Sequence, residues 1–240
     1  MLRARPNPAA RLRLFCFPYA GGAAVAFRDW PPLLGPSIEM CAVELPGHGT
    51  RLREPLVSRL ESWAESLASA LEPWLDREFA FFGHSLGALL AFEVALRVGA
   101  TGRWPSRLCV SASAAPHMIV PGDSTSTLPR PAFIENLRRL GGTPPAVLAH
   151  PELMTLMEPV LRADFAAFET YRCRPGAQLD CPIAAFGGLR DPIVKRDRLE
   201  GWREHTRAGF SLEMFPGDHF FVNTARRELV PAVARATSGT

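Results

Sequence analysis

The sequence predicts an α/β fold in which a mainly parallel, doubly wound sheet carries a helical lid insertion. Short apolar runs typical of buried strands alternate with helical patterns along almost the whole chain. One strand-to-helix junction contains Gly-x-Ser-x-Gly at residues 83–87, and no strand pattern appears from about residue 116 to 171. Since single α/β domains of this size are common, we expect one domain over residues 1–240, with a lid or substrate chamber at 116–171.

Composition excludes several classes of function. The chain is 47% hydrophobic and 21% charged, its net charge is only +3, and its arginines form no basic block. No apolar stretch approaches the roughly 18 residues that read as a membrane span, and no apolar signal core follows the N-terminal charges. We therefore expect a cytoplasmic protein, monomeric by default, that binds neither nucleic acid nor membrane.

The five cysteines indicate neither a metal site nor a disulfide framework. They form no Cys-x-x-Cys pair and no Cys/His cluster with metal-ligand spacing. Cys16, Cys41, Cys109 and Cys181 lie in or beside apolar strand-like runs, and Cys173 lies in a polar one. We expect buried or inert thiols, because free cysteine packs as a small hydrophobe.

The N-terminal third supplies two strands and a glycine-rich loop. Residues 1–10 are rich in Pro and Arg and are expected to be loose. The pattern predicts strands at 12–17 and 38–45 and a short helix at 27–34. The loop after the first strand contains Gly21-Gly22. It is either a plain turn or the place where folds with a serine nucleophile put a second oxyanion-hole amide.

The middle of the chain supplies a covering helix and the central strand. Ser58-x-x-Glu61 has the form of a capping box, and apolar residues recur at helical spacing over residues 60–75. A strand at 79–82, apolar on both faces as central parallel strands are, runs into a buried helix over about 86–98.

The C-terminal half supplies three more strands and the lid. We expect strands at 108–114, 181–187 and 211–215, an outer helix at 195–206 and a C-terminal helix to about residue 237. Between the first two of these strands, helical pieces are predicted near 132–140, 151–157 and 158–172. This insertion either gates the carboxyl edge of the sheet or is a helical elaboration with no gating role.

The Gly-x-Ser-x-Gly motif has the form of a nucleophile elbow, in which a serine is held at a strained turn between strand and helix. Gly83 and Gly87 supply the space that Cβ atoms two positions either side of Ser85 would occupy. Ser85 then lies near a helix N terminus, where free N–H groups stabilise an oxyanion. Because the motif alone is common, its interpretation depends on whether an acid and a histidine occur later in the chain.

A serine becomes a nucleophile only when a neighbouring base removes its proton and a carboxylate orients that base. Asp191 and His219 follow the last two predicted strands, and open α/β sheets form their sites at that edge. We therefore expect Asp191 and His219 to be the acid and the base that serve Ser85.

Other acids and histidines fit this pattern less well. Asp180 precedes its strand, Asp197 lies within a helix, and Asp218 would have to fold back on its neighbour. His48 precedes Ser85, whereas the elbow fold presents nucleophile, acid and histidine in that order, so we interpret it as a surface or packing residue. The remaining histidines lie inside the elbow, before the acid or in helical pieces: His84, His117, His150 and His205.

Several motifs spread over nearly the whole chain are together more specific than any one of them. They are Phe17-Pro18-Tyr19-Ala20-Gly21-Gly22, Leu45-Pro46-Gly47, Gly83-His84-Ser85-Leu86-Gly87-Ala88, Leu161-Arg162-Ala163-Asp164-Phe165, Gly187-Gly188 with Asp191, and Gly217-Asp218-His219-Phe220. This set resembles the type II thioesterases of polyketide and nonribosomal peptide assembly lines, which have the α/β-hydrolase fold.

The resemblance implies an editing hydrolase of antibiotic biosynthesis. Such an enzyme removes stalled or wrong acyl groups from the phosphopantetheine arm of an acyl or peptidyl carrier protein, without a cofactor or metal of its own. By position, the resemblance implies the catalytic triad Ser85, Asp191 and His219, with oxyanion-hole amides at Ala20 and Leu86.

Two positions depart from the family pattern. Many members have histidine where this chain has Tyr19, and arginine where it has His48. Because the oxyanion donor is a backbone N–H, we expect the first departure to leave catalysis intact. Its effect on how the thioester is seated stays open.

Apolar side chains of the lid are candidates for lining an acyl chamber, since Met and Phe adapt to several chain shapes. The alternative is that they only bury the lid on the core. The candidates are Phe133, Leu137, Met154, Leu156, Met157, Leu161, Phe165 and Phe168.

Three other functions share parts of this pattern. A carboxylesterase or lipase of the same fold would use the same triad. An acyltransferase or cyclising thioesterase would replace water by a bound nucleophile. A hydrolase fold that serves only as a binding module is the third, and the complete set of Ser, Asp and His disfavours it.

Overall fold

Seven strands form one sheet in this computed structural model, which describes residues 2–4 (backbone only), 6–119 and 124–238. The strands are β1 (Leu2–Ala4), β2 (Leu12–Phe17), β3 (Ile38–Val43), β4 (Glu78–His84), β5 (Leu108–Ser111), β6 (Ile183–Gly188) and β7 (Phe210–Phe215). Their order across the sheet is β1-β3-β2-β4-β5-β6-β7. All neighbouring pairs are parallel except β1 with β3, as the predicted α/β class requires.

Helices cover both faces of the sheet, so β2 through β6 are buried on both sides. The α-helices are α1 (Pro31–Leu34), α2 (Leu60–Leu71), α3 (Leu86–Gly99), α4 (Arg130–Leu140), α5 (Pro145–Leu148), α6 (Pro151–Glu169), α7 (Arg196–Glu200), α8 (Phe221–Thr224) and α9 (Arg226–Thr237). One apolar core contains α2, α3 and the side chain of Trp202, and the other contains α1, α8 and α9.

The N terminus is more ordered than the sequence indicates. Residues 1–10 were expected to be loose, but Leu2–Ala4 pairs with β3 in antiparallel register. The strand covers the backbone groups on the otherwise open edge of β3, and unpaired edges are what native sheets avoid. Three residues are too few to show a strand period, which explains why the pattern did not predict β1.

The expected capping box does not form at the start of α2. The helix begins at Leu60 with Arg59 as its N-cap, and no side chain caps it. A capping box needs Ser58 at the N-cap and Glu61 as the third helical residue, but Glu61 is the second, so the two cannot form the reciprocal bonds. It instead lies 3.4 Å from the Arg59 guanidinium.

The lid region contains no strand among its described residues; residues 120–123, part of the predicted 116–171 insertion, lie outside that description. The helical pieces predicted near 151–157 and 158–172 are one helix, α6, with Pro159 inside it. Proline removes one backbone hydrogen bond of a helix. Here Val160 and Leu161, which follow it directly, are buried, and this packing compensates for the lost bond.

We expect Phe82→Ala to lower the free energy of unfolding by about 3–5 kcal/mol, the usual cost of a large cavity in a rigid core. Phe82 is fully buried, and its ring centroid lies 4.7 Å from that of Trp30 and 6.1 Å from that of Phe27. Denaturant unfolding measures the change. The control Leu52→Ala, at an exposed side chain, should stay within about 0.5 kcal/mol of wild type. Equal effects of the two substitutions would contradict this account of the core.

Candidate active site

Ser85 occupies the turn between β4 and α3 with φ 55° and ψ −120°, a conformation that non-glycine residues adopt only under strain. Two glycines make the turn possible. A Cβ at Gly83 would lie 2.2 Å from the carbonyl oxygen of Gly87, and a Cβ at Gly87 would lie 2.2 Å from that of Phe17. The second contact brings the start of α3 against the end of β2, so the elbow and the loop after β2 are in direct backbone contact.

The three residues predicted to act together form one hydrogen-bonded series. Nε2 of His219 lies 3.1 Å from Oγ of Ser85, and its Nδ1 lies 2.9 Å from Oδ2 of Asp191. Because Nδ1 faces a carboxylate, a neutral imidazole carries its proton there. Nε2 is then the unprotonated nitrogen and can accept the Ser85 hydroxyl proton.

Asp191 is buried, yet its surroundings favour the ionised carboxylate. Burial alone would raise its pKa, but the hydrogen bond from His219 and those from the amides of Val194 and Ile193 lower the pKa below its usual value. The two amides donate to Oδ1 at 3.0 and 2.7 Å. Asp191 is therefore charged at neutral pH and holds the imidazole in the orientation described.

A cavity of about 430 Å³ opens above Ser85 and His219. Most of its lining is apolar, which suits an acyl chain more than a polar substrate. Four of the predicted chamber residues line it: Leu137, Leu161, Phe165 and Phe168. The polar and charged side chains of its wall include Asn136, Thr143, Glu169, Arg139 and Arg198.

Four predicted chamber residues do not line this cavity. Phe133 and Met154 are buried in a small core between α4 and α6 that also contains Leu137 and Leu161, and Met157 packs against that core. The Arg162 guanidinium covers the Phe133 ring at 4.1 Å. Leu156, also a candidate, is exposed. The chamber expectation is therefore wrong for these four side chains, because an apolar residue of the lid can be buried in the lid core, or exposed, without reaching the cavity, whereas Leu137 and Leu161 belong to both the lid core and the cavity wall.

The two amides predicted to form an oxyanion hole both belong to residues that line the cavity, Ala20 and Leu86. Leu86 is the first residue of α3, so no preceding helical carbonyl is placed to accept from its N–H. The carbonyl oxygen of Tyr19 accepts from the amide of Gly22 at 2.8 Å. Because that peptide is trans, the Ala20 N–H points away from this bond.

Tyr19, one of the two positions expected to depart from the family pattern, is part of the cavity wall. Its ring packs edge-on against Phe220 and His84, with centroids 5.3 and 5.7 Å away. His84 is fully buried, and this burial lowers its pKa well below the usual value. It is therefore neutral, with Nδ1 2.9 Å from the hydroxyl of Ser111. The neutral His84 ring that packs against Tyr19 thus adds no charge behind this wall.

His48 is a packing residue, one of the two roles expected of it. It is buried, and its Nε2 lies 2.9 Å from Oδ2 of Asp164 on α6. The same carboxylate oxygen accepts from the amide of Gly21 at 2.6 Å. Sequence reasoning gave Asp164 no role. The one signal for it was its place within the Leu161–Phe165 motif.

The part of the chain that the structure describes offers no other type of catalytic centre. It contains no group of three or more His, Cys, Asp or Glu residues arranged to hold a metal ion. All five cysteines are free, and burial raises the pKa of Cys109 to about 12, far from a reactive thiolate. Among the described helices, none is long and apolar enough to cross a membrane.

Comparison with known proteins gives a family match over residues 12–239, to the thioesterase domain. The chain is 41% identical over 230 residues to the gramicidin S biosynthesis protein GrsT of Aneurinibacillus migulanus, covering 95% of this chain and 90% of the relative. It is 40% identical over 229 residues to the thioesterase PikA5 of Streptomyces venezuelae, covering 95% of this chain and 81% of the relative.

Solved structures agree with the sequence relatives. RedJ, a thioesterase from the prodiginine pathway of Streptomyces coelicolor, is 42% identical with a TM-score of 0.89, over 96% of this chain and 87% of that one. BorB, a type II thioesterase from the borrelidin cluster, is 36% identical with a TM-score of 0.90, and the match covers 98% of this chain and 97% of that one. The fold is thus the predicted α/β-hydrolase fold.

We expect Gly83→Ala to displace Ser85 and to destabilise the protein by about 1–3 kcal/mol. The added methyl would meet backbone atoms of Gly87, which cannot move aside as a flexible side chain can. Labelling of Ser85 by a fluorophosphonate should slow at least about tenfold, since misplacement by about 1 Å costs more than that. In the control Gly209→Ala, the nearest atom to the new methyl is 3.9 Å away. Labelling of Gly83→Ala at the control's rate would contradict the steric account.

Proposed function

Because the chain belongs to the thioesterase domain family, we propose that it hydrolyses acyl groups from the phosphopantetheine arm of acyl or peptidyl carrier proteins. Membership of the family makes the protein a hydrolase that acts on thioesters. The carrier-bound substrate and the roles of individual residues are the proposal. The observation that carries it is the hydrogen-bonded series Ser85–His219–Asp191 at an apolar cavity.

The relatives support an editing role in an assembly line for a polyketide or nonribosomal peptide. GrsT is named for gramicidin S biosynthesis, RedJ for the prodiginine pathway and BorB as a type II thioesterase for borrelidin. We propose that this chain likewise removes stalled or aberrant acyl units, so its macromolecular partner is a carrier protein domain. The cytoplasmic location and the monomeric state stay predictions from the sequence.

In the proposed acylation step, Nε2 of His219 removes the proton of the Ser85 hydroxyl as its oxygen attacks the thioester carbonyl. The imidazole then carries two protons and a positive charge beside the ionised Asp191, which stabilises it. The tetrahedral intermediate collapses, the carbon–sulfur bond breaks, and the pantetheine thiol leaves with the proton from His219. The acyl group is now an ester of Ser85.

Deacylation repeats these steps with water as the nucleophile. His219 removes a proton from water, hydroxide adds to the ester carbonyl, and Ser85 recovers its proton as the free acid departs. In both steps the N–H groups of Ala20 and Leu86 hold the developing oxyanion. No cofactor or metal takes part in this mechanism.

A thiolate leaves more readily than an alkoxide, so the proposed reaction needs little help from proton donation. Stabilisation of the oxyanion and alignment of the thioester therefore contribute most of the rate enhancement. Both depend on backbone that is fixed before substrate arrives: the elbow at Ser85 and the loop at Ala20.

We expect Ser85→Ala to abolish release of free acid from an acyl-pantetheine thioester, with a loss of about 10⁴-fold or more in kcat, as when other serine hydrolases lose their nucleophile. Ser85 is half-buried at the cavity, and among the described residues its side chain bonds only His219, so the thermal unfolding midpoint should stay near that of wild type. A folded Ser85→Ala protein that turned over at the wild-type rate would disprove the assignment.

The substrate class is tested with a panel of acyl-carrier proteins that differ in acyl chain, and with simple nitrophenyl esters of the same acids. We expect free acid as the product, and a higher kcat/KM for the carrier-bound thioester than for the matching ester. A preference for the simple ester would identify a carboxylesterase. Transfer of the acyl group to an added amine or alcohol in place of water would identify an acyltransferase.

The length of the preferred acyl chain is expected to depend on the side chains that line the cavity and not on lid-core side chains that do not reach it. Leu137→Phe adds bulk at a lid-core side chain that also lines the cavity, whereas the matched control Met154→Phe adds it at a lid-core side chain that does not. The first substitution should shift the kcat/KM profile towards shorter chains, by about 10-fold or more for the longest, as a filled subsite does. The same profile for both variants would exclude a lining role for Leu137.

A further inference from the structure

A buried carboxylate on the lid helix holds the loop that carries one of the proposed oxyanion amides. Oδ2 of Asp164 accepts the Gly21 N–H at 2.6 Å. Gly21 follows Ala20 directly, so this bond fixes the peptide unit on one side of Ala20. The bond between Gly22 and the Tyr19 carbonyl, at 2.8 Å, fixes the unit on its other side. The direction of the Ala20 N–H is therefore set from both sides.

The helix contacts this loop at a second point, one turn before the carboxylate. A Cβ at Gly21 would lie 2.5 Å from Cδ2 of Leu161, and Gly21 has φ +72°. Leu161 and Asp164 are three residues apart and share one face of α6. The loop is thus seated on α6 by an apolar contact and by a charged hydrogen bond.

The charge of Asp164 has one close partner among the described residues. Nδ1 of His48 lies 2.9 Å from the Pro46 carbonyl oxygen, which can only accept, so Nδ1 must be protonated. Nε2 lies 2.9 Å from Oδ2 of Asp164. With both nitrogens facing acceptors, His48 is a doubly protonated imidazolium paired with a carboxylate, and both side chains are buried.

Fold stability alone does not account for this pair. Oδ1 of Asp164 is buried and has no hydrogen-bond partner among the described residues. Burying a carboxylate with one oxygen unpaired is unfavourable, and apolar side chains of similar size often stabilise a protein as well as a buried ion pair does. What an apolar residue at position 164 could not supply is an acceptor for the Gly21 N–H.

We propose that Asp164 is a positioning residue for the Ala20 amide, acting through the Gly21 N–H, and that His48 is its buried counter-ion. The inference rests on the proposed function, because the Ala20 amide is a proposed oxyanion donor. It assigns to α6 a part in the chemical step, in addition to the walls that α6 gives the cavity.

The pair also has a pH dependence. Burial acts to lower the pKa of His48, but its bonds to Asp164 and the Pro46 carbonyl, with the nearby charge of Glu44, raise the pKa above its usual value. Around the ring lie Asp164 from α6, Glu44 and Pro46 from the segment after β3, and the Trp63 ring of α2 at 6.4 Å. Because the pKa is raised, His48 keeps its positive charge to a higher pH than a free imidazole does, and the ion pair is lost as the pH rises through that pKa.

The test compares Asp164→Leu with wild type on an acyl-pantetheine thioester. Leucine has a similar size but removes both the acceptor for the Gly21 N–H and the charge that pairs with His48. We expect kcat to fall about 10- to 100-fold while KM changes by less than about threefold, since an oxyanion contact acts in the transition state. A trifluoromethyl ketone, whose tetrahedral oxygen occupies the oxyanion hole, should lose affinity by the same factor as kcat/KM.

Two further variants separate positioning from folding. His48→Arg keeps a cation beside Asp164 and should retain kcat within about threefold. In wild type, loss of the His48 proton should lower kcat/KM at alkaline pH. His48→Arg should show no such decline, because arginine keeps its charge. The control Glu158→Gln removes a carboxylate from the same helix that bonds Arg162 and not the loop, and its kinetics should match wild type.

Each outcome decides the inference. A folded Asp164→Leu protein with kcat within twofold of wild type, or with only KM changed, would overturn it. If Asp164→Leu does not fold, the pH profiles at alkaline pH decide: an identical decline of kcat/KM in wild type and His48→Arg would overturn it, and a decline in wild type that is absent from His48→Arg would support it. A wild-type protein that released no acid from the thioester would instead refute the proposed function.

Discussion

The close approach of backbone to backbone at the elbow is the constraint on which the rest of this structure depends. Gly83 meets Gly87, and Gly87 meets the end of β2, at separations that leave no space for a side chain. This contact holds Ser85 in its strained conformation and sets the first N–H of α3 beside the loop that contains Ala20. The strand order positions the other two residues, because Asp191 follows β6 and His219 follows β7 at the same edge of the sheet.

Much of this arrangement could be predicted from the sequence, since its signals are local. Buried parallel strands are continuous apolar runs, and a serine between two glycines at the end of such a strand is typical of a nucleophile elbow. Asp191 and His219 were identifiable by position alone, after the last two core strands. Relatives and solved structures confirm the thioesterase family and the α/β-hydrolase fold.

What could not be predicted depends on contacts between distant segments. Nothing near Asp164 in the sequence indicates that its carboxylate bonds Gly21, 143 residues earlier. Phe133 and Leu137 lie on the same helix and are both buried in the lid core, yet only Leu137 also lines the cavity. The register that decides between them is set by how α4 packs on α6. The edge strand Leu2–Ala4 was missed for the same reason, because its order comes from β3.

The small core between α4 and α6 is packed separately from the two cores beside the sheet. Its side chains, Phe133 and Met154 among them, pack with one another and belong to neither of the two cores beside the sheet. Substitutions at Phe133 or Met154 are therefore expected to disturb the packing of α4 on α6 and not the two cores that support the elbow. In chimeras that exchange lids between homologues, the donor lid must bring an acceptor for the Gly21 amide.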